Sequence, residues 1–288
     1  MKGVLIRMAL GALTTVLLLG LVELSLTLVG LPADALLYDG DPAYYWTVKP
    51  GLDQVDVPFP EEGTSFPVAT NSLGLRDDAM PTDGPWVLAL GCSTTFGWGV
   101  AGEENWTELL EDALGVPVVN AGQPGHSTRQ GLTFASELLA RKPTVALMGW
   151  IVRDAQLAPA PDSESRPSPW MTRTRMFRGI KGLLSAPSRP GDIGEGVHRV
   201  GPEAYRANLT RLIAEAEGAG SKVVLHAFPE VTPSRAHQAI LDQLGPPVVA
   251  PALPRAAFFE NDPVHLNKLG HDALARILDD ELRKALLK

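Results

Sequence analysis

The sequence predicts an α/β protein: a three-layer α/β/α sandwich built on a mostly parallel sheet, with a transmembrane helix at the N-terminus. Three observations support this prediction. From residue 85 onward, short apolar runs alternate with longer helical segments, as strands and crossover helices do in a parallel sheet. The chain is 45% hydrophobic and 20% charged, which is ordinary for a folded domain. Near the N-terminus, one apolar run is long enough to match a bilayer.

The N-terminal segment, residues 1–31, is predicted to be an uncleaved membrane anchor. The run Met8–Leu31 would be about 36 Å long as a helix, enough to cross a bilayer with some tilt. Lys2 and Arg7 precede it and acidic residues follow it. The positive-inside rule therefore predicts a cytoplasmic N-terminus and an extracytoplasmic remainder, either periplasmic or extracellular. A cleaved signal peptide is the alternative, and the length of the apolar run disfavours it.

Glu23 is the one charged residue inside this apolar run. A carboxyl group is costly in hydrocarbon, so it must be protonated, extend outward to water, or pair with another helix. Outward extension is the simpler interpretation, and the sequence alone cannot test for a partner helix.

Residues 32–84 are predicted to form a membrane-proximal connector with short strands at most, because they are rich in proline, glycine and aspartate. Asn71–Arg76 has the composition of a turn that leads into the main domain, residues 85–288. Inside that domain, residues 156–200 are too long for an ordinary connection. They are interpreted either as a lid over a pocket or as a disordered insertion.

Strands and helices are predicted in alternation along the main domain. The predicted strands are Trp86–Leu90, Val116–Val119, Thr144–Met148, Lys222–Phe228 and a short Val248–Ala250. The predicted helices are Trp106–Leu114, Thr128–Ala140, Pro202–Gly218 and Lys268–Leu287. Pro202 suits the first turn of its helix, and Asn267 suits the cap of the last one.

Charge and cysteine content exclude several classes of function. The net charge of −8 and the lack of a basic stripe argue against a nucleic-acid partner. The same overall charge weakly repels anionic lipid, so the predicted contact with the membrane is the N-terminal helix. Cys92 is the single cysteine, which excludes an internal disulfide, and no Cys–His cluster has the spacing of a zinc site. No metal or organic cofactor is predicted.

A serine follows the first strand of the main domain. The run Trp86–Leu90 ends at Gly91, and Cys92 and Ser93 come next. This places a hydroxyl at the carboxyl edge of a parallel sheet, where open α/β folds build their sites. Such a serine can attack a carbonyl if a base reaches it. A serine in this position also commonly caps the following helix, so the motif is weak alone.

A base and a residue to orient it lie near the other end of the chain. Asp262 and His265 are three residues apart, which lets one turn hold both side chains. A carboxylate bonded to one imidazole nitrogen leaves the other nitrogen able to take a serine proton. An isolated pair of this kind is more often a surface feature.

Two more strand ends offer groups that could stabilise an oxyanion. Asn120–Gly125 contains two glycines, which expose backbone N–H groups. Arg153 follows the third strand and could donate to a developing negative charge; the alternative is an ion pair with Asp154 or another acidic residue. Trp98 and Trp150 also follow strand ends and are interpreted as packing residues or as apolar walls of a pocket.

Taken together, these segments resemble the SGNH, or GDSL, hydrolase family over about residues 71 to 288. The similar blocks are Gly91-Cys92-Ser93, Asn120–Gly125 and Asp262-Pro263-Val264-His265. Asn71, Gly74 and Arg76 are similar to a turn in the membrane-anchored bacterial branch of that family. The resemblance implies a flavodoxin-like arrangement of the sheet.

The resemblance also implies roles. Ser93 would be the nucleophile, His265 the base and Asp262 the residue that orients it. The N–H groups of Ser93 and Gly122 would bind the oxyanion. Cys92 replaces the family's aspartate beside the serine, and a Cys92 thiolate is a less favoured alternative nucleophile.

In the third block of the family, Ile151 and Arg153 stand where the family has glycine and asparagine. The Arg153 guanidinium would have to act in place of the asparagine amide as the third oxyanion donor. It is bulkier and carries a full charge, so this block is the largest departure from the family pattern.

The sequence is therefore interpreted as a single-pass, outward-facing serine esterase that cleaves acyl esters through an acyl-enzyme. One alternative is an O-acyltransferase or deacetylase that acts on an acetylated glycan of the cell envelope. Another is an inactive protein that binds or assembles with partners. The oligomeric state is left open.

Overall fold

The computed structural model describes residues 2–32, 34–41, 43–164, 174–184, 196–232 and 234–287. It has a five-stranded parallel sheet with helices packed on both faces. The prediction of a three-layer α/β sandwich is confirmed.

The N-terminal part has one long helix and two small hairpins. Helix α1 (Lys2–Leu28) has no buried residue and is long and apolar enough to cross a membrane, a property that signal sequences share. The elements that follow are α2 (Asp34–Leu37), β1 (Tyr38–Asp41), β2 (Tyr45–Val48), β3 (Val55–Phe59) and β4 (Thr64–Val68). β1 pairs with β2 and β3 pairs with β4, both antiparallel.

The main domain supplies the remaining elements. Its strands are β5 (Val87–Gly91), β6 (Val118–Gly122), β7 (Val145–Gly149), β8 (Leu157–Ala158), β9 (Val197–His198), β10 (Lys222–His226) and β11 (Val248–Val249). Its helices are α3 (Ser93–Phe96), α4 (Trp106–Leu114), α5 (Thr128–Leu139), α6 (Ile151–Asp154), α7 (Arg175–Leu184), α8 (Pro202–Gly218), α9 (Arg235–Leu241) and α10 (Lys268–Leu287). The predicted strands and long helices are all present, with boundaries that differ by a few residues.

The central strands form because they can be buried on both faces. Every residue of β5, β6 and β7 is buried. Leu88 and Leu90 pack in one apolar layer, while Val87 and Ala89 pack in the layer on the opposite face. Truncating one such side chain, as in Leu88→Ala, would destabilise the fold by about 2–5 kcal/mol.

The strand order positions the site. The sheet runs β11-β10-β7-β5-β6, with every pair parallel. The chain leaves β5 toward β6 on one side and returns past β5 to reach β7 on the other. At such a switch point the connecting loops diverge at the carboxyl ends of the strands and leave a crevice, which is where open α/β sheets bind ligands. The Ser93 turn lies there.

The predicted connector is more than a linker. Its strands are short, as expected, but side chains from this segment form an apolar cluster with Phe96 of α3; the other buried members are Leu37, Val48, Val57, Phe59, Phe66 and Val68. The buried Arg76 guanidinium donates to the carbonyls of Phe96 (3.0 Å), Gly97 (2.6 Å) and Val100 (2.6 Å). Residues 34–76 therefore support the turn that carries Ser93.

The predicted lid or disordered insertion falls partly on residues 165–173 and 185–195, which lie outside the described residues. Its base is ordered: β8 pairs antiparallel with β9. Arg199 forms an ion pair with Asp162 (2.9 Å) and donates to the Gly125 carbonyl (2.9 Å). Ser127 donates to the same Asp162 (2.7 Å), so the base of the insertion is attached to the loop after β6.

Candidate active site

The turn from β5 into α3 places Ser93 at the carboxyl edge of the sheet. A Cβ atom at Gly91 would lie 2.1 Å from Thr95 Oγ1 and 2.7 Å from the Gly149 carbonyl oxygen, so only glycine fits between β5 and β7. Helix α3 lasts one turn and ends at Gly97, whose φ of 81° is left-handed. Ser93 is the first residue of that turn and is 4% exposed.

The loop before α10 brings Asp262 and His265 to this serine. The Ser93 hydroxyl donates to His265 Nε2 at 2.8 Å, across 172 residues of sequence. On the other side of the ring, His265 Nδ1 donates to Asp262 Oδ2 at 2.5 Å. The structure thus brings the three residues together in the order of a nucleophile, a base and a carboxylate that orients the base.

Asp262 is held as a carboxylate. Its burial raises its pKa, but the hydrogen bond and charge of His265 oppose this, and so do N–H donors from Val264 (2.9 Å) and His265 (3.2 Å). The net effect lowers the pKa of Asp262 below its usual value. An ionised Asp262 keeps a proton on Nδ1, which leaves Nε2 free to accept the Ser93 proton.

Glu62 supports the Asp262 loop from the connector, and the sequence analysis missed it. It lies in a short 3₁₀ turn, Pro60–Glu62, between β3 and β4. Its Oε1 accepts the N–H groups of Asn261 (2.6 Å) and Asp262 (3.0 Å). The two segments are 200 residues apart, and no local pattern signals such a contact.

Aromatic rings enclose His265 on one side. The Trp98 ring lies 6.2 Å from the His265 ring, centroid to centroid, and packs against Phe59 and Phe66. Trp98 therefore lies beside the site, whereas Trp150 is buried in the core and acts in packing. The Trp98 surface can contact the apolar part of an ester.

The N–H of Gly122, the second predicted oxyanion donor, donates to the Asn120 side chain at 3.0 Å. The role of Gly122 as an oxyanion donor stays a prediction. Asn120 also donates to the Thr95 carbonyl (3.0 Å) and the Thr107 hydroxyl (3.1 Å), which ties the end of β6 to the Ser93 turn. A Cβ at Gly122 would lie 2.2 Å from Phe96 N, so this glycine is required for packing.

The Ser93 N–H is a better-placed donor. It stands at the start of α3, where helical N–H groups have no partner within the helix. Among the described residues, none of the hydrogen bonds uses it. It remains available to an oxyanion that forms on Ser93.

Arg153 lies in α6, near the nucleophile turn. Burial lowers its pKa, the charge of Arg199 lowers it further, and Arg153 interacts electrostatically with Cys92. Its Nη1 donates to Gln156 Oε1 at 2.5 Å, and no hydrogen bond among the described residues joins it to Ser93. Its role as an oxyanion donor stays a prediction.

The alternative ion pair between Arg153 and Asp154 is not formed. Asp154 instead accepts the Thr128 hydroxyl and the Thr128 N–H, the latter at 2.9 Å. Burial raises the pKa of Asp154 to about 7.

Cys92 points away from the site. Its side chain is 1% exposed and belongs to the apolar layer that contains Leu90 and Trp150. Its sulfur lies 3.3 Å from Thr94 Oγ1. A buried thiol with these neighbours has neither the access nor the base that a nucleophile needs, which leaves Ser93 as the candidate.

Three further histidines, His126, His226 and His271, are buried and have structural surroundings. Burial lowers the pKa of His126 to about 4, and its Nε2 lies 2.8 Å from the Trp46 carbonyl. His226 is buried among aromatic rings, and burial lowers its pKa to about 4. His271 accepts the Trp106 N–H at 3.0 Å. No group of three or more metal-binding side chains occurs among the described residues.

Comparison with known proteins finds distant structural neighbours only. No protein-family model matches the chain, and no curated protein matches it in sequence. TesA is similar to it with 18% identity, over 69% of this chain and 99% of that one, with a TM-score of 0.47.

Two further solved structures are similar at comparable distance. A GDSL-like lipase from Bacteroides thetaiotaomicron VPI-5482 has 17% identity over 69% of this chain and 88% of that one, with a TM-score of 0.40. The salicylyl-acyltransferase SsfX3 from a tetracycline biosynthetic pathway has 13% identity over 70% and 56%, also with a TM-score of 0.40.

Proposed function

We propose that the chain is a serine hydrolase of the SGNH type that cleaves carboxylic esters through an acyl-enzyme. The observation that carries this proposal is the continuous chain of hydrogen bonds from Ser93 through His265 to Asp262, at 2.8 and 2.5 Å. A buried carboxylate, an imidazole and a hydroxyl in that order make a competent acyl-transfer site.

The first half-reaction uses all three residues. Ser93 Oγ attacks the ester carbonyl while His265 Nε2 takes the hydroxyl proton. The charge on the tetrahedral intermediate rests near the Ser93 N–H, and Asp262 stabilises the imidazolium. As the intermediate collapses, the ester C–O bond breaks, His265 returns the proton to the leaving alkoxide, and an alcohol departs.

The second half-reaction regenerates the enzyme. His265 takes a proton from water, and the resulting hydroxide equivalent attacks the Ser93 acyl ester. Collapse of this intermediate breaks the bond between Ser93 Oγ and the acyl carbon, the proton passes to Ser93, and a carboxylic acid leaves. Arg153 is proposed as a further donor to the oxyanion in both steps.

The proposal includes the placement of the protein in the cell. We propose that residues 1–31, which contain α1, anchor the chain in a membrane, with the main domain outside the cytoplasm. The support is the length and apolarity of α1, its lack of buried residues and the basic residues Lys2 and Arg7 at its start. Residues 32–84 would then lie between the anchor and the hydrolase domain, residues 85–288.

Transfer to a sugar hydroxyl is the second candidate function. One observation favours it: the Trp98 ring lies beside His265, where it offers an apolar wall for a sugar as well as for an acyl group. If an acetylated glycan of the cell envelope supplies or accepts the acyl group, the enzyme is an O-acyltransferase or deacetylase. Hydrolysis of an acetyl ester with and without an oligosaccharide acceptor separates the two, since transfer yields acetylated sugar.

A fluorophosphonate probe tests the core of the proposal. The full chain in detergent micelles is expected to react covalently at Ser93, and Ser93→Ala is expected to abolish the labelling. Cys92→Ala is the matched control because it changes the adjacent residue, and it should label as the wild-type chain does. Absence of labelling in the folded wild-type chain, or labelling that persists in Ser93→Ala, would overturn the proposal.

A further inference from the structure

Glu23 of α1 is bound to the start of α7. Its Oε1 accepts the Arg175 N–H at 2.6 Å, and its Oε2 accepts the Met176 N–H at 3.0 Å. Arg175 also donates from its guanidinium to the Leu31 carbonyl at 3.2 Å. The first N–H groups of a helix lack partners within it and favour a carboxylate, so Glu23 caps α7 from a different helix.

The sequence of α7 separates into two faces. Basic residues recur every third position at Arg175, Arg178 and Lys181, and the opposite side of the helical turn has apolar residues: Met176, Phe177, Ile180, Leu183 and Leu184. Ile180 is 50% exposed, so its side chain is not buried by the protein. A helix with one apolar and one basic face is typical of segments that lie in a membrane surface.

The contact with Glu23 attaches the start of α7 to α1 close to the end of α1. Glu23 lies five residues before the end of α1 at Leu28, which corresponds to about 7–8 Å along the helix axis. Helices that lie in a bilayer surface bury their apolar face about 5–10 Å into the boundary between headgroups and acyl chains. If α1 spans the membrane to Leu28, the start of α7 therefore lies within this boundary.

We propose that α7 is an interfacial helix that binds anionic lipid. The face with Met176, Phe177 and Ile180 enters the acyl region, and the basic positions of the α7 sequence supply the attraction to lipid phosphates. The inference rests on the proposed anchoring of α1. The net charge of −8 would repel anionic lipid as a whole, so this attraction is local to α7.

One consequence concerns the catalytic domain. The insertion that contains α7 begins and ends at β8 and β9, and Arg199 beside β9 is bonded to the Gly125 carbonyl. Because the chain joins α7 to both ends of this insertion, a lipid-bound α7 would tether the insertion to the bilayer.

Depth-dependent fluorescence quenching tests the inference on the full chain in vesicles. In a Cys92→Ser background, an environment-sensitive fluorophore is placed at Ile180→Cys, with quenchers at shallow or deep acyl positions. We expect quenching mainly by the shallow lipid in phosphatidylcholine–phosphatidylglycerol vesicles. Removal of one basic residue, as in Arg178→Gln or Lys181→Gln, should lower the ratio of quenched to unquenched label about fivefold.

Two reference labels separate this inference from the anchoring proposal. A label at Leu13→Cys reports α1 and should be quenched by the deep lipid, while a label at the exposed Lys284→Cys should not be quenched. If Leu13 is quenched and Ile180 is not, the interfacial helix is wrong and the anchor stands. If neither is quenched, the anchoring proposal fails and this inference fails with it.

Glu23→Ala tests the cap itself. It removes both acceptors of the α7 N–H groups, so quenching at Ile180 should fall while quenching at Leu13 is unchanged. Ser25→Ala is the matched control, because in the described part of the chain the Ser25 hydroxyl bonds within α1, to the Leu21 carbonyl at 2.8 Å. Equal quenching at Ile180 in both variants would show that Glu23 does not position α7.

Discussion

The two halves of the candidate site are supported in different ways. Ser93 lies in a turn between buried strands, where Gly91 and Gly122 allow close packing and Asn120 ties the end of β6 to the turn. The Asp262–His265 loop lies outside the sheet and is bonded to a carboxylate from the connector, Glu62, as well as to its own neighbours. The nucleophile is therefore part of the buried core, whereas the base lies in a loop that a distant side chain helps to hold.

Asp262→Asn should have the largest effect on activity. The amide of the variant can donate to His265 Nδ1, which then has no proton, so the proton moves to Nε2 and that atom no longer accepts from Ser93. A loss of about 10⁴-fold in kcat is expected. Steady-state hydrolysis of a chromogenic acetyl ester measures it.

The matched control for this change is Asp272→Asn, which alters an exposed aspartate of α10 paired with Arg276. It should retain wild-type kcat. A loss of less than about tenfold in Asp262→Asn would show that the carboxylate does not set the tautomer of His265.

Gly91→Ala should have the largest effect on stability. The new methyl group would meet the Gly149 backbone oxygen at 2.7 Å, and backbone atoms between two central strands cannot move aside cheaply. Overpacking of this kind costs about 1–3 kcal/mol or more, so chemical denaturation should show an unfolding midpoint well below that of the wild-type chain.

Gly102→Ala is the control for the glycine substitution, because a Cβ there meets nothing within 4 Å. It should leave the midpoint nearly unchanged. Equal stability of the two variants would mean that β5 and β7 can separate to admit a side chain, and that the nucleophile turn is less rigid than the packing implies.

Glu62→Gln tests the support of the base loop. The amide oxygen can still accept a hydrogen bond, but the bonds lose their charge assistance, which is worth about 1 kcal/mol. The loop should sample more conformations, and kcat should fall about fivefold to tenfold with little change in the unfolding midpoint. Glu61→Gln, which changes the exposed neighbour, should match the wild-type chain.

A second substitution at Glu62 tests the same contact. Glu62→Ala removes the acceptor altogether and should reduce kcat further, because the N–H groups of Asn261 and Asp262 would then turn to water. If Glu62→Ala retains full kcat, the base loop is held by its own contacts and the contrast between the two halves of the site is wrong.

The same contrast explains which features could be predicted from sequence. The Ser93 turn follows from a local pattern, an apolar strand that ends at glycine, and the Asp262–His265 spacing is likewise local. The role of Glu62 could not be predicted, since its partners are about 200 residues away and the residues around it in sequence indicate only a turn. The contact between the Gly122 N–H and the Asn120 side chain could not be predicted either, because the sequence does not show which way that side chain turns.

The fold was predictable for a similar reason. Alternating strands and helices specify a parallel sheet through local periodicity alone. By contrast, the packing of the connector depends on Arg76, whose three carbonyl partners between Phe96 and Val100 are set by tertiary structure. A high proline and glycine content predicts an irregular segment, but this composition does not indicate what the segment packs against.

The smallest expected effect is a change in how the stability of the folded protein depends on pH. Burial raises the pKa of Asp77 to about 6 and of Glu108 and Asp154 to about 7. The folded state then binds more protons than the unfolded state between about pH 4 and 7, so these carboxyls lower stability as the pH rises.

Buried histidines act in the opposite direction over the same range. Burial lowers the pKa of His126 and His226 to about 4 and of His271 to about 3, so below pH 6.5 the unfolded state binds their protons and the folded state does not. Burial also lowers the pKa of His237, so four histidines oppose the three carboxyls, and the wild-type unfolding temperature should rise only slightly with pH between pH 5 and 6.5.

Asp154→Asn should upset this balance. With one carboxyl removed, the rise of stability with pH should be steeper than in the wild-type chain by about 1 kcal/mol per unit between pH 5 and 6.5, or about 2–4 °C per unit in Tm. Asp242→Asn, which changes an exposed aspartate just after α9, should keep the wild-type profile. Calorimetric scans that give Asp154→Asn the wild-type profile would mean that Asp154 is already ionised in the fold, and that the sheet edge beside Arg153 carries a negative charge at the pH of catalysis.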